Sequence, residues 1–199
     1  MKNYINYIKE SVNDINIIID QCIKTDTLRP LLALNKDYVL KYVLDSKKMN
    51  LKLLKFLIEN KFNLDIQDSQ GYTYLMIATK KNYIETVKFL IDYGVNLNLK
   101  NDYGNSALKM AIEIGKTKMI ELLINGGADV NIKDFTESTN LILAIFQDRL
   151  DIAKLLIDAG ADVNIKNKLG YTALYYALYY KNNNIAKLLI DAGADINQN

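Results

Sequence analysis

The sequence predicts an all-α solenoid, a row of helix-turn-helix units stacked through one continuous core. Three observations carry this expectation. GADVNIK occurs at 127–133 and again at 160–166, with the variants GVNLNLK at 94–100 and GADINQN at 193–199, a step of 33 residues each time. Each unit carries two apolar runs with helical spacing. A serine or threonine precedes the first run and a glycine follows the second, as helix start and stop signals do. Self-similarity at this period marks a stacked-repeat architecture.

Taken in order, residues 1–34 hold apolar runs (Ile15, Ile17, Ile18, Ile19) outside the repeat register. They are expected to form one or two capping helices ending near Arg29-Pro30. Residues 35–67 read as a degenerate repeat. Leu57-Ile58 falls 33 residues before Leu90-Ile91, but Tyr38 stands where glycine is expected and Asp45 where alanine is expected. Lys61 replaces the helix-ending glycine, where a left-handed backbone costs a non-glycine residue about 1–2 kcal/mol.

Four regular units follow, at 68–100, 101–133, 134–166 and 167–199. Thr73, Ser106, Thr139 and Thr172 each precede the first apolar run, as N-caps whose hydroxyls accept from an unpaired backbone N–H. Leu75, Ile77 and Ala78 recur as Leu108, Met110 and Ala111, giving the first helix one apolar face. Alanine at 78, 111, 144 and 177 suits a close approach of two helices. The second helix carries Val87, Phe89, Leu90 and Ile91 in one copy and Ala153, Leu155, Leu156 and Ile157 in another. Gly94, Gly127, Gly160 and Gly193 stand where a left-handed residue ends it. Asp129 with Asn131, and Asp162 with Asn164, favour turns through side-chain bonds to backbone. One unit alone buries too little apolar surface to offset its own ordering. Residues 1–199 are therefore expected to form a single cooperative domain. Its last unit is expected to leave the outer face of Ile185, Leu188 and Leu189 exposed, covered by further chain, or paired end to end with another molecule.

The common pattern is D/N-x-x-G, two residues on T/S, x-L-x-x-A, an apolar run, then G-A-D-x-N. In these residues the chain resembles the ankyrin repeat family over about two thirds of its length. The family's T-P-L-H element appears as Thr73-Tyr74-Leu75-Met76, Ser106-Ala107-Leu108-Lys109, Thr139-Asn140-Leu141-Ile142 and Thr172-Ala173-Leu174-Tyr175, without its proline or histidine.

Composition excludes several function classes. The chain has 199 residues, half of them hydrophobic, with no run of 18 apolar residues to span a bilayer. MKNYINYIKESVNDINIIID has early polar residues and an apolar run broken by Asp14 and Asn16, so it is not a secretory signal. One cysteine, Cys22, excludes an internal disulfide and fits a reducing, cytoplasmic setting. A net charge of +2 with interleaved lysines and acids argues against nucleic acid as a partner. Ile, Lys, Asn and Tyr exceed two fifths of the residues, which points to an AT-rich source.

No histidine is present, so Ser-His-Asp and Cys-His chemistry and imidazole metal ligation are excluded. No phosphate loop or dinucleotide fingerprint occurs, and the glycines follow the repeat period. The chain is expected to be non-catalytic, with no cofactor and no metal.

Function then lies at positions that vary while the framework stays fixed. The resemblance implies binding of a partner protein on the concave side, from hairpin tips and exposed first-helix positions. Carried over by register, the tips hold Ser69, Gln70 and Tyr72; Asp102, Tyr103 and Asn105; Phe135, Thr136 and Ser138; Lys168, Leu169 and Tyr171. The first helices offer Lys80 and Lys81, Glu113 and Ile114, Phe146 and Gln147, Tyr179 and Tyr180. The candidate contact set is Tyr72, Tyr103, Phe135, Phe146, Gln147, Leu169, Tyr171, Tyr179 and Tyr180. Aromatic side chains dominate it, and these are enriched in interfaces. Tyr175 and Tyr176 are assigned to the stack, and Lys80 and Lys81 to a solvated helix end. A second reading is an adaptor or effector of a parasite, intracellular bacterium or virus that recruits host machinery, with residues 1–34 as the recruiting cap.

Overall fold

The computed structural model describes residues 12–25, 27–34, 39 and 51–198. Contacts divide the chain into two compact units, Met1–Tyr74 and Leu75–Asn199.

In the first unit, α1 (Val12–Thr25) is followed by a 3-10 turn (Arg29–Ala33) and later by α2 (Leu51–Glu59). Ile19 and Cys22 of α1 are buried, as are Leu28 and Leu31 around the turn, whereas Ile17 is exposed. Burial raises the Cys22 thiol above its ordinary value. Against an expected end near Arg29-Pro30, α1 stops at Thr25, and a 3-10 turn runs from Arg29 to Ala33 with Pro30 in its first turn. A proline is tolerated in a first helical turn, where its missing N–H has no partner to lose. The first half of the degenerate repeat, with Tyr38 and Asp45, lies outside the described residues. Its second half forms α2, which buries Leu53, Leu54 and Leu57. Lys61 does adopt the left-handed backbone (φ 58°), with Lys61 N–H donating to the Ile58 carbonyl and Phe62 N–H to that of Leu57.

Eight helices continue the chain: α3 (Tyr74–Lys80), α4 (Ile84–Tyr93), α5 (Ala107–Ile114), α6 (Thr117–Asn125), α7 (Asn140–Phe146), α8 (Leu150–Asp158), α9 (Ala173–Tyr179) and α10 (Asn183–Asp191). Within a repeat, α5 packs on α6, α7 on α8 and α9 on α10. Between repeats, α5 packs on α7 and α7 on α9, while α4 packs on α6 and α8 on α10. First helices thus form one layer and second helices the other. Ala111, Ala144 and Ala177 are fully buried on the first-helix layer, where a larger side chain would hold the helices apart.

Serine and threonine start the helices as the sequence indicates. Ser106 Oγ accepts from Lys109 N–H at 3.2 Å, Thr139 Oγ1 from Ile142 at 3.4 Å and Thr172 Oγ1 from Tyr175 at 3.2 Å. Thr73, also buried, directly precedes α3. The second helices end in left-handed residues at Gly94, Gly127, Gly160 and Gly193. At Gly160, its N–H donates to the Ile157 carbonyl and the Ala161 N–H to that of Leu156, the paired bonds of a Schellman motif.

The first helices end the same way, which the sequence conceals. Asn82, Gly115, Asp148 and Lys181 are all left-handed, at φ 57°, 70°, 54° and 57°, and only one of the four is glycine. Each hairpin tip is tied by its first residue. Asn101 Oδ1 accepts from Tyr103 and Asn105, and Asp134 Oδ1 from Thr136 and Ser138. The fourth tip residue is left-handed in each, a glycine in three copies but Glu137 (φ 58°) in the third. At Lys61 and Glu137, relief of the left-handed strain outweighs the added freedom of the unfolded chain. Lys61→Gly and Glu137→Gly are each expected to stabilise the protein by about 1 kcal/mol, read as a higher urea midpoint with unchanged slope.

The G-A-D-x-N element acts between repeats as well as within its own turn. Asn98, Asn131 and Asn164 each accept, through Oδ1, the backbone N–H of Asp129, Asp162 and Asp195 in the next unit, at 2.8–2.9 Å. Asn164 Nδ2 also donates to the Gly193 carbonyl at 3.2 Å. The local bonds occur too, with Asn131 N–H donating to Asp129 Oδ1 and Asn164 N–H to Asp162 Oδ1.

The last repeat corrects the expected outer face. Ile185 and Leu189 are fully buried and Leu188 half-buried, because these residues point into the α9–α10 pair and its neighbour. The apolar side chains left open are Leu178, Ile190 and Ile196. Leu178 is 52% exposed, whereas Ile145, its counterpart one repeat earlier, is 4% exposed under the following unit.

Candidate functional site

Seven close ring pairs join Phe146 on α7 with Tyr171, Tyr175, Tyr176, Tyr179 and Tyr180 on and around α9. Their positions follow from helix geometry, since residues four apart share a face. Tyr171 stacks on Tyr175 with centroids 3.9 Å apart and planes 5° from parallel, and Tyr175 faces Tyr179 at 6.2 Å. Tyr176 and Tyr180 present edges to this column, at 85° to Tyr175 and 82° to Tyr179. Phe146 reaches across from the preceding repeat to Tyr176 at 4.5 Å and Tyr180 at 5.9 Å.

The cluster has an anchored base and an open surface. Tyr176 is buried, and its hydroxyl accepts from Asn167 Nδ2 at 2.8 Å, tying the ring to the hairpin. Phe146, Tyr180 and Tyr179 are 48%, 51% and 67% exposed. The neighbouring Tyr171 hydroxyl is the main cause that raises the Tyr175 phenol above its ordinary value, with desolvation adding to it.

Four residues of the expected contact set therefore come together: Phe146, Tyr171, Tyr179 and Tyr180. Gln147 is exposed beside them at the end of α7. Tyr103, Phe135 and Leu169 stand exposed on hairpin tips. Phe135 lies over Gly104, where a Cβ would come within 2.9 Å of its ring, so glycine at 104 makes room for it. Tyr72 belongs to the first unit and is half-buried, its N–H donating to Asp68 Oδ1. Tyr176 belongs to the stack as expected, but Tyr175 is half-exposed and part of the ring surface. The spacing 171, 175, 179 carried that signal. Lys80 is exposed at its helix end, while Lys81 lies 5.8 Å above the Tyr83 ring.

Polar ties fix the tips that flank the cluster. Lys109 Nζ donates to Asp134 Oδ2 at 2.8 Å across a repeat junction. Desolvation opposes the Asp134 charge, but the Lys109 and Thr136 bonds outweigh it and hold its pKa below the ordinary carboxylate value. Lys168 N–H donates to the Thr136 carbonyl at 2.9 Å, joining the third and fourth tips. Beside the rings lies a groove of about 650 Å³, lined by Ile145, Phe146, Asp148, Tyr180, Lys181 and the asparagines at 182–184.

A family model described as ankyrin repeats matches residues 42–134 and 134–199. The chain belongs to the ankyrin repeat family. No curated protein matches it. Ankyrin repeats generally mediate protein–protein interaction, and the fold here is the all-α repeat fold of that family. The family match starts at residue 42 and so includes most of the degenerate repeat. Among the described residues, no helix is long and apolar enough to cross a membrane.

Proposed function

We propose that this ankyrin repeat chain is a non-catalytic, intracellular binding scaffold that seats a partner protein on its concave side. The contact is centred on Phe146, Tyr171, Tyr179 and Tyr180. One observation carries the reading: a joined cluster of six rings, three of them about half exposed or more, on the exposed side of two successive first helices. Rings already held by one another lose little freedom on binding, and tyrosine offers apolar area with a polar tip. Tyr103, Phe135 and Leu169 extend the surface along the tips.

The test is affinity capture from cell lysate with wild type and a Phe146→Ala, Tyr171→Ala, Tyr179→Ala, Tyr180→Ala variant, with circular dichroism on both. A protein retained by wild type and lost by the folded variant supports the reading. Equal capture by both rejects this surface. Raising the salt separates the alternatives further, since phosphate-driven binding collapses with salt and aromatic burial does not.

Leu178, Ile190 and Ile196 support a second contact, end-to-end self-association through the last repeat. Three side chains fall well short of the roughly 800 Å² per partner of a stable interface. Association is therefore expected to be weak, visible in sedimentation only at high concentration and abolished by Leu178→Lys. A monomer at every concentration would reject it.

A further inference from the structure

The groove beside the rings holds the carboxylate of Asp148 and, on its rim, the ammonium of Lys181, which form no ion pair with each other. Asp148 makes no ion pair among the described residues, because the adjacent Arg149 is spent on Asp151, with Nε and Nη2 bonds of 2.9 and 2.7 Å. Asp148 is nonetheless held in place. Asn182 Nδ2 donates to Asp148 Oδ1, and the Asn182 amide is itself fixed by its Oδ1 accepting from Ile185 N–H at 3.0 Å as the cap of α10. The backbone at Asp148 is left-handed, whereas glycine fills the equivalent position one repeat earlier. Left-handed non-glycine residues also stand at 82 and 181, so it is the bond from the capping Asn182 that singles out the Asp148 carboxylate.

Its surroundings define the use. Phe146 and Tyr180 line the same groove, 5.9 Å apart and edge to face. Ring faces carry negative potential and attract cations, and a carboxylate accepts paired N–H bonds in one plane. A guanidinium satisfies both at once, its face stacked on a ring and its edge paired with the carboxylate, a planar fit that a compact ammonium lacks. The groove volume is in the range of side-chain and small-ligand sites. Lys181 lines the groove too, exposed and without an ion pair among the described residues, on a stem long enough to turn to solvent. We infer that this groove receives an arginine side chain of the partner protein. The inference rests on the reading that the partner docks on the aromatic side of α7 and α9.

The test is an NMR titration of the full ¹⁵N-labelled chain with three probes: N-acetyl-arginine amide, its neutral isostere N-acetyl-citrulline amide, and N-acetyl-lysine amide. The arginine probe is expected to move the amide signals of residues 180–184 saturably, with citrulline and lysine weaker by about threefold or more. Asp148→Asn should erase the preference for arginine over citrulline, and Tyr180→Leu should erase that over lysine. Asp148→Gly serves as the folding control, since it is expected to melt higher than wild type and still lose the preference. Equal binding of arginine and citrulline by wild type, an unchanged preference in Asp148→Asn, or no shifts at all would overturn the inference. Failure here with successful capture by the ring surface leaves that surface standing and removes only the arginine. Success here with capture unaffected by the alanine variant rejects the surface as the protein contact.

Discussion

Leu156→Ala is expected to lower the stability of the 75–199 unit by about 2–5 kcal/mol, the usual loss for a fully buried leucine truncated to alanine. Leu156 is completely buried on α8, a helix that packs on α7 in its own repeat and on α10 in the next. The cavity therefore opens at a junction, and its effect should not stay within one repeat. Urea denaturation followed by circular dichroism would show a lower midpoint. If the loss were under about 1 kcal/mol, the second-helix layer would not be packed at core density. Ile190, on the same layer but exposed, provides the contrast, and Ile190→Ala should change little.

The second large effect concerns the asparagine bridges. Asn131→Ala removes the bond from Asp162 N–H and the weaker one to the Gly160 carbonyl, and Asn164→Ala removes the equivalent pair to Asp195 and Gly193. At about 0.5–1.5 kcal/mol per bond, each substitution is expected to cost about 1–3 kcal/mol. Asp162→Ala removes the local turn bond to Asn164 N–H but leaves the bridge that its own backbone makes to Asn131. It should therefore cost less than Asn131→Ala. If the two cost the same, the bridges contribute nothing beyond their turns.

Much of the fold was legible because identical backbone tasks recur every 33 residues. Ser106, Thr139 and Thr172 cap their helices, and the glycines from Gly94 to Gly193 end them, as their chemistry indicates. What stayed hidden has physical causes. Left-handed residues at 82, 148 and 181 carry no glycine, and tertiary packing imposes the turn there against local preference. The inter-repeat role of Asn131 was masked because a local turn already accounts for an asparagine at that position. The outer face of the last repeat was misassigned because Ile185 and Leu189 share an apolar run with Ile190, and spacing alone does not say which side the next unit would cover. At the candidate site, register placed Phe146, Tyr171, Tyr179 and Tyr180 on or beside the first helices of two adjoining repeats. Register does not say that their rings touch, because the contacts depend on how α7 and α9 pack. Asp148 escaped notice because its meaning depends on Asn182, 34 residues away.

The column formed by Asn82, Gly115, Asp148 and Lys181 has a wider consequence. Four consecutive positions share one backbone geometry yet hold an amide, no side chain, an acid and a base. Because packing and not residue identity dictates the bend, a new side chain there leaves the helices where they are. The column is thus a register of interchangeable letters along one edge of a constant frame. Exchanging one non-glycine residue for another there adds no backbone strain, whereas replacing Gly115 costs about 1–2 kcal/mol of it and requires the Arg149 guanidinium to move.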